Sequence, residues 1–309
     1  MTRPMTGKGS MSMLVILLLL FSLLPFTAAA TGSAGVEFSG EITGAQGIPF
    51  NQPTDLVSAN GRLYVLDGLN HRVAVFDLAG KYLFQFGGDF HRAIGLCADQ
   101  RGAIYVADAE TAKVKIFSPD GGASGEFTAS PVGNNEKPRI TDCAVSAKGE
   151  IFLVDNGNHH IHVYDRSGRR LRWFGNFGEN NNEFRHPATV AIDDNGVVYV
   201  VDVINNLVKA FSSTGEPLQM LGGWGITPGK LFRPKGVMLI RNTVYVSDSY
   251  TGAVQVFDAS GAFQGIMQRT SGEKIRFVTP TNMTSAGSRF YIVEQLKNRV
   301  SMWRMGGKR

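Results

Sequence analysis

Six short apolar runs, each closing on an acidic residue, recur along this chain of 309 residues: "YVLD" at Asp67, "YVAD" at Asp108, "FLVD" at Asp155, "YVVD" at Asp202, "YVSD" at Asp248 and "YIVE" at Glu294. Successive anchors lie 41, 47, 47, 46 and 46 residues apart. Three more columns keep step with them. Six residues on stand Val73, Val114, Ile161, Val208, Val254 and Val300; nine on stand Phe76, Phe117, Tyr164, Phe211, Phe257 and Trp303; thirteen on stand Gly80, Gly121, Gly168, Gly215, Gly261 and Gly307. Whatever one unit folds into, the chain must fold into six of it.

Each unit reads as four strands. The apolar run before the anchor has the unbroken character of a strand buried on both faces. A polar turn then leads to an alternating segment such as "RVAVFD" or "AVQVFD", so the two form a hairpin. The glycine column makes a second turn, where a positive φ costs glycine little, and segments such as "KYLFQFGG" follow as a fourth strand. Upstream stretches such as "QPTDLVSANG" supply the first. Four antiparallel strands in about 46 residues make a propeller blade. One blade cannot bury both faces of its sheet, so the expected fold is all-β: a ring of six four-stranded antiparallel blades. Blade six ends at "MWRMGGKR" without a fourth strand, while "VEFSGEITGAQG" (Val36 to Gly47) has no blade of its own. Val36 to Thr43 is therefore expected to pair beside Asn298 to Met305 and close the ring.

These residues carry a family resemblance. Phe50 to Gly87 resembles an NHL repeat in its Pro-led first strand, its Tyr-Val-x-Asp second strand, its Asn-x-Arg-Val turn and its Phe-Asp-x-x-Gly close. The similarity extends over essentially all of the chain after residue 36; blade two lacks the leading Pro, and blade six ends its run in Glu294. The resemblance implies a six-bladed propeller over residues 36–309. It implies little about activity, since the family includes binding scaffolds and a few lyases.

Residues 1–30 have a signal peptide's layout: Arg3 and Lys8, the apolar run Met11 to Phe26, then small residues with cleavage expected near Ala30. The run's 16 residues include Pro25 and fall short of the ~20 a spanning helix needs. No cysteine follows Ala30 to suggest lipidation. Export to the periplasm or outside the cell is expected. Losing Arg3 and Lys8 lowers the formal charge from +5 to +3. So mild a balance argues against nucleic acid as a partner.

Catalytic motifs are sparse. His159, His160 and His162 cluster in "NHHIHVYD", but His160 shares a column with Arg72, Lys113 and Arg299, and His162 one with Lys115 and Lys209. These are polar positions of an ordinary blade, and no third ligand converges. The family's amidating-lyase relatives hold zinc through His residues that follow the leading Pro of several blades; here those positions read Thr54, Ala188, Lys235 and Thr281, and His186 stands before Pro187. No cofactor is expected. The chain has no G-x-S-x-G, H-E-x-x-H or phosphate loop. The Asp column recurs once per blade, which points to a structural duty: capping the turn, or pairing a cation five residues on such as Arg72.

Asymmetry is the better guide to function. The turns between second and third strands share one rim with the connections between blades. Departures from the common pattern on that rim give the candidate binding residues: Arg72, His91, Arg92, His160, Phe177, His186, Trp224, Tyr250 and Arg299. Trp224 either engages a partner or folds back over the blade edge. Cys97 and Cys143 lie in adjacent first strands with opposite side-chain parity, so they face each other across one interface or both face away. The expected function is a monomeric exported scaffold that binds a protein or ligand through one rim. The alternatives are a lyase or lactonase with a metal at the channel mouth, or a subunit of a cell-envelope assembly.

Overall fold

The computed structural model describes residues 35–306, so the expected signal segment and Gly307 lie outside the described residues. The blades occupy residues 53–87, 93–128, 140–174, 187–222, 234–266 and 280–305, each with its strands side by side in chain order. Every blade's first strand touches the first strands of both neighbours, and the cycle returns from Pro280–Ala286 to Pro53–Ala59. Six separate apolar clusters fill the six interfaces. Between blades one and two, for example, Tyr64, Leu66 and Val75 meet Leu96, Ile104 and Phe117.

Closure follows the expected route. Gly35–Ile42 pairs antiparallel with Arg299–Met305, from Val36 opposite Met305 to Ile42 opposite Val300, with a bulge before Gly40. The same strand also pairs in parallel with Gln268–Arg269, making blade six five-stranded. Across the seam Ile42, Tyr291, Val293 and Met302 pack on Leu63, Val65 and Phe76, and the Tyr291 hydroxyl donates to the Leu78 carbonyl at 2.7 Å. The glycine column makes the third-to-fourth-strand turns: Gly80, Gly121, Gly168, Gly215 and Gly261 have φ between 80° and 97°, a region costly to any side chain.

Each first strand carries a bulge just after its start. The residues there form a ring around the axis: Asp55, Gly95, Asp142, Thr189, Gly236 and Asn282. They bond across blades. Asp55 accepts from the Leu96 amide at 2.6 Å and from the Asn282 amide group at 2.6 Å; Asp142 accepts from the Val190 amide at 2.9 Å; Thr189 donates to the Lys235 carbonyl at 2.9 Å. Gly95 brings no side chain to the ring, and a Cβ there would sit 2.6 Å from Cα of Asp142. That interface is spanned instead by a disulfide between Cys97 and Cys143, with Cα atoms 5.7 Å apart, so the two side chains do face each other. The bridge closes 46 residues, and its loss should cost about 4 kcal/mol. Denaturant titration with and without reductant checks this, and superimposable curves would contradict it.

Candidate functional site

The repeated acid builds one face of the ring. Its carboxylate ties the second-to-third-strand turn to the loop that enters the same blade. Asp108 accepts from the Glu110 and Thr111 amides of its turn at 3.0 Å each, and from the His91 and Arg92 amides of the incoming loop at 2.7 and 3.1 Å. Asp155 joins the Gly157 and Asn158 amides to that of Arg139, and Asp248 joins the Tyr250 and Thr251 amides to those of Phe232 and Arg233. Hydrogen bonds to a charged carboxylate contribute about 1.5–3 kcal/mol each. Thus a structural column fixes where the loop residues stand.

Polar side chains of the third strands complete the brace: Arg72 pairs with its anchor acid as expected, while His160 and His162, read as ordinary polar positions of a blade, are buried. Arg72 is buried, with Nε 2.9 Å from Asp67. His162 is buried against Asp155 at 3.2 Å, and Lys209 against Asp202 at 3.2 Å. Lys209 also donates to the Asn180 and Glu183 carbonyls of its incoming loop, Lys115 grips Asp89, and Gln255 holds the Gly229 amide at 2.8 Å. His160 is buried as well; its Nδ1 lies 2.8 Å from the Gly175 carbonyl and its Nε2 faces the Asn135 amide group at 2.7 Å. Arg299 is half-buried between Glu294 and Glu41. Of the rim candidates, Arg72, His160 and Arg299 are therefore ties within the fold. His91, Arg92, Phe177, His186, Trp224 and Tyr250 are exposed on the loop face.

Around the channel mouth, the residue before each first strand reads Gln52, Arg92, Arg139, His186, Arg233 and Thr279. Arg92, Arg139, His186 and Arg233 are exposed, and among the described residues none of the three arginines makes an ion pair. Lys235 adds a further cation; burial and the adjacent Arg233 push its pKa down. Burial and the nearby His186 likewise lower His159. Beneath this cationic mouth Asp55 and Asp142 lie within hydrogen-bonding reach of each other. Burial raises both, Asp55 to about 7, and their mutual repulsion holds Asp142 up as well. With them, first-strand aliphatic residues such as Leu56, Val145 and Leu239 line an axial cavity of about 330 Å³. Among the described residues no three His, Cys, Asp or Glu side chains cluster to hold a metal.

Large apolar side chains mark the same face. Trp224 is 74% exposed, Leu296 73% and Phe177 65%, with Leu69, Ile204, Ile226 and Tyr250 also open. Trp224 does not fold back over the blade edge. Among the described residues, the turns of the opposite face expose none. Phe177 and Trp224 occupy twin loops, bridged from Phe177 to Phe184 and from Trp224 to Leu231. In each the buried residue seven positions on plugs the blade end and leaves the aromatic outside. "GNFGENNNEFRHP" and "GGWGITPGKLFRP" align at an offset of 47, the one signal in the sequence that could have paired these loops.

Residues 50–76 match the profile of the NHL repeat. The chain is a six-bladed propeller that carries an NHL repeat in its first blade. Solved structures share the ring over most of its length. A gluconolactonase from Xanthomonas campestris is 16% identical, with a TM-score of 0.66 over 90% of this chain and 93% of that one. A protein of unknown function from Bacteroides thetaiotaomicron is 13% identical, with a TM-score of 0.65 over 89% and 74%. A virginiamycin B lyase from Staphylococcus aureus is 13% identical, with a TM-score of 0.59 over 86% and 98%. At such identities the likeness concerns the fold alone.

Proposed function

We propose that this NHL-repeat propeller is an exported binding module, a monomeric ring that engages its partner through the loop face. The observation that carries this reading is the confinement of exposed apolar loop residues to one face of a ring whose opposite turns expose none. Export to the periplasm or beyond accords with the Cys97–Cys143 bridge, since such bonds persist in oxidising compartments. Aromatic side chains beside arginine are the usual anchors of an interface. Capture from a cell-envelope extract tests the reading. Trp224→Ala/Tyr250→Ala should lose the captured partner by about tenfold or more, whereas Leu218→Ala/Met220→Ala on the outer strand of blade four should keep it. Equal retention by both variants would contradict the proposal. A partner recovered only with membranes would mark an envelope assembly.

The shared fold with a lyase and a gluconolactonase, together with two neighbouring buried carboxyl groups under the channel mouth, supports a second reading as an enzyme. Stoichiometric zinc or calcium in the purified protein would favour it. The bonds that Asp55 and Asp142 accept from Leu56, Leu96, Cys143 and Val190 give both carboxylates a structural task already.

A further inference from the structure

Two columns of the loop face are out of step with each other. The inner column, before the first strand, carries an arginine in blades two, three and five, Arg92, Arg139 and Arg233, with His186 between them in blade four. The outer column, two residues past the anchor, reads Leu69, Glu110, Gly157, Ile204, Tyr250 and Leu296 in blade order, so it is apolar in blades four, five, six and one. The face thus has a cationic arc and an apolar arc that overlap at blades four and five, where Phe177 and Trp224 stand. No acidic residue occupies the inner column. Elsewhere arginines such as Arg172, Arg185 and Arg269 are in ion pairs, which makes the three unpaired arginines at the mouth an available charge.

Resting on the loop-face reading, we infer that the surface docks an acidic segment of a partner protein: carboxylates over the channel mouth, apolar side chains on the arc from blade four to blade one. Charge complementarity selects the acid, and the planar guanidinium fork matches a carboxylate in two bonds. The breadth of the apolar arc, four consecutive blades, exceeds what a small molecule covers. The aromatic rings are also held in place. Tyr250 packs on Phe232 at 4.4 Å between centroids and Phe177 on His159 at 5.0 Å, the preorganised kind of anchor that protein interfaces use.

Selection of short random peptides on the purified full chain tests this. The selected pool should be enriched in Asp and Glu beside Phe, Leu or Tyr. A synthetic binder from it should weaken about tenfold or more in Arg92→Glu/Arg139→Glu/Arg233→Glu, in Trp224→Ala/Leu296→Ala, and on raising salt from about 50 to about 500 mM. All five positions are exposed, and unchanged melting curves confirm that each variant is folded. Binders lost in the Trp224 variant but indifferent to charge reversal would overturn the acidic partner and leave the loop-face reading standing. Binders indifferent to both variants would overturn both. Sedimentation with phosphatidylglycerol vesicles that requires the same side chains would overturn the inference in favour of a membrane surface.

Discussion

A chain beginning at Gln46 should melt about 10 °C or more below the full-length protein. The removed strand buries Val36 and Ile42 almost completely, and Ala45 beside them. Two aliphatic side chains withdrawn from water contribute about 3–6 kcal/mol, before counting the ladder to Arg299–Met305. For a domain this size each kcal/mol moves the midpoint by about 2–4 °C. The loss also strips cover from Trp303, which packs edge-on to Phe38 at 5.2 Å, and leaves Arg299 without Glu41. Adding back a peptide of residues 35–45 should recover part of the midpoint, because the seam is noncovalent. An unchanged melting curve after truncation would contradict the closure.

The axial carboxylates should make the ring less stable as pH rises. Burial lifts Asp55 from an ordinary 3.8 to about 7. Between about pH 4 and 7 the folded chain therefore keeps a proton that the unfolded chain has released, and stability declines by about 1.4 kcal/mol per unit. Asp155 acts in the opposite sense at lower pH. Burial would raise it, but bonds from His162, Asn158 and the Arg139 amide bring it down to about 2; its contribution, whole above about pH 4, fades as pH drops toward 2. Asp55→Asn isolates the first effect. The amide cannot accept from both the Leu56 and Leu96 amides as the carboxylate does, a cost that does not vary with pH, whereas the titration is gone. Denaturant midpoints at about pH 5 and about pH 8 should show the variant gaining on the native chain at the higher pH. Parallel shifts would contradict a proton held in the channel.

What was legible in the sequence was what the ring needs six times. The Asp column, the glycine turn and the buried second strand recur because each blade solves the same packing problem, and Val36 to Thr43 stood out because blade six lacked its last strand. The loop face was legible in location and less so in detail. Lys115, Lys209 and Gln255 look like outward polar residues of an alternating strand, yet tertiary bonds turn them onto the incoming loops. A period-of-two pattern carries no trace of such partners, which lie about 26–29 residues away in the chain. The inner column was legible only in part for a related reason: Arg92 and His186 depart from the common pattern, but Arg139 and Arg233 do not stand out, and only the ring brings all four together at its mouth.

Hydroxyl-radical footprinting of the full chain, with and without a bound loop-face peptide, reads the working surface directly. The account predicts that Trp224, Tyr250 and Leu296 lose reactivity on binding while Leu218 and Met220, comparably open on an outer strand, keep theirs. Protection of the outer strand with the loop residues unchanged would contradict it.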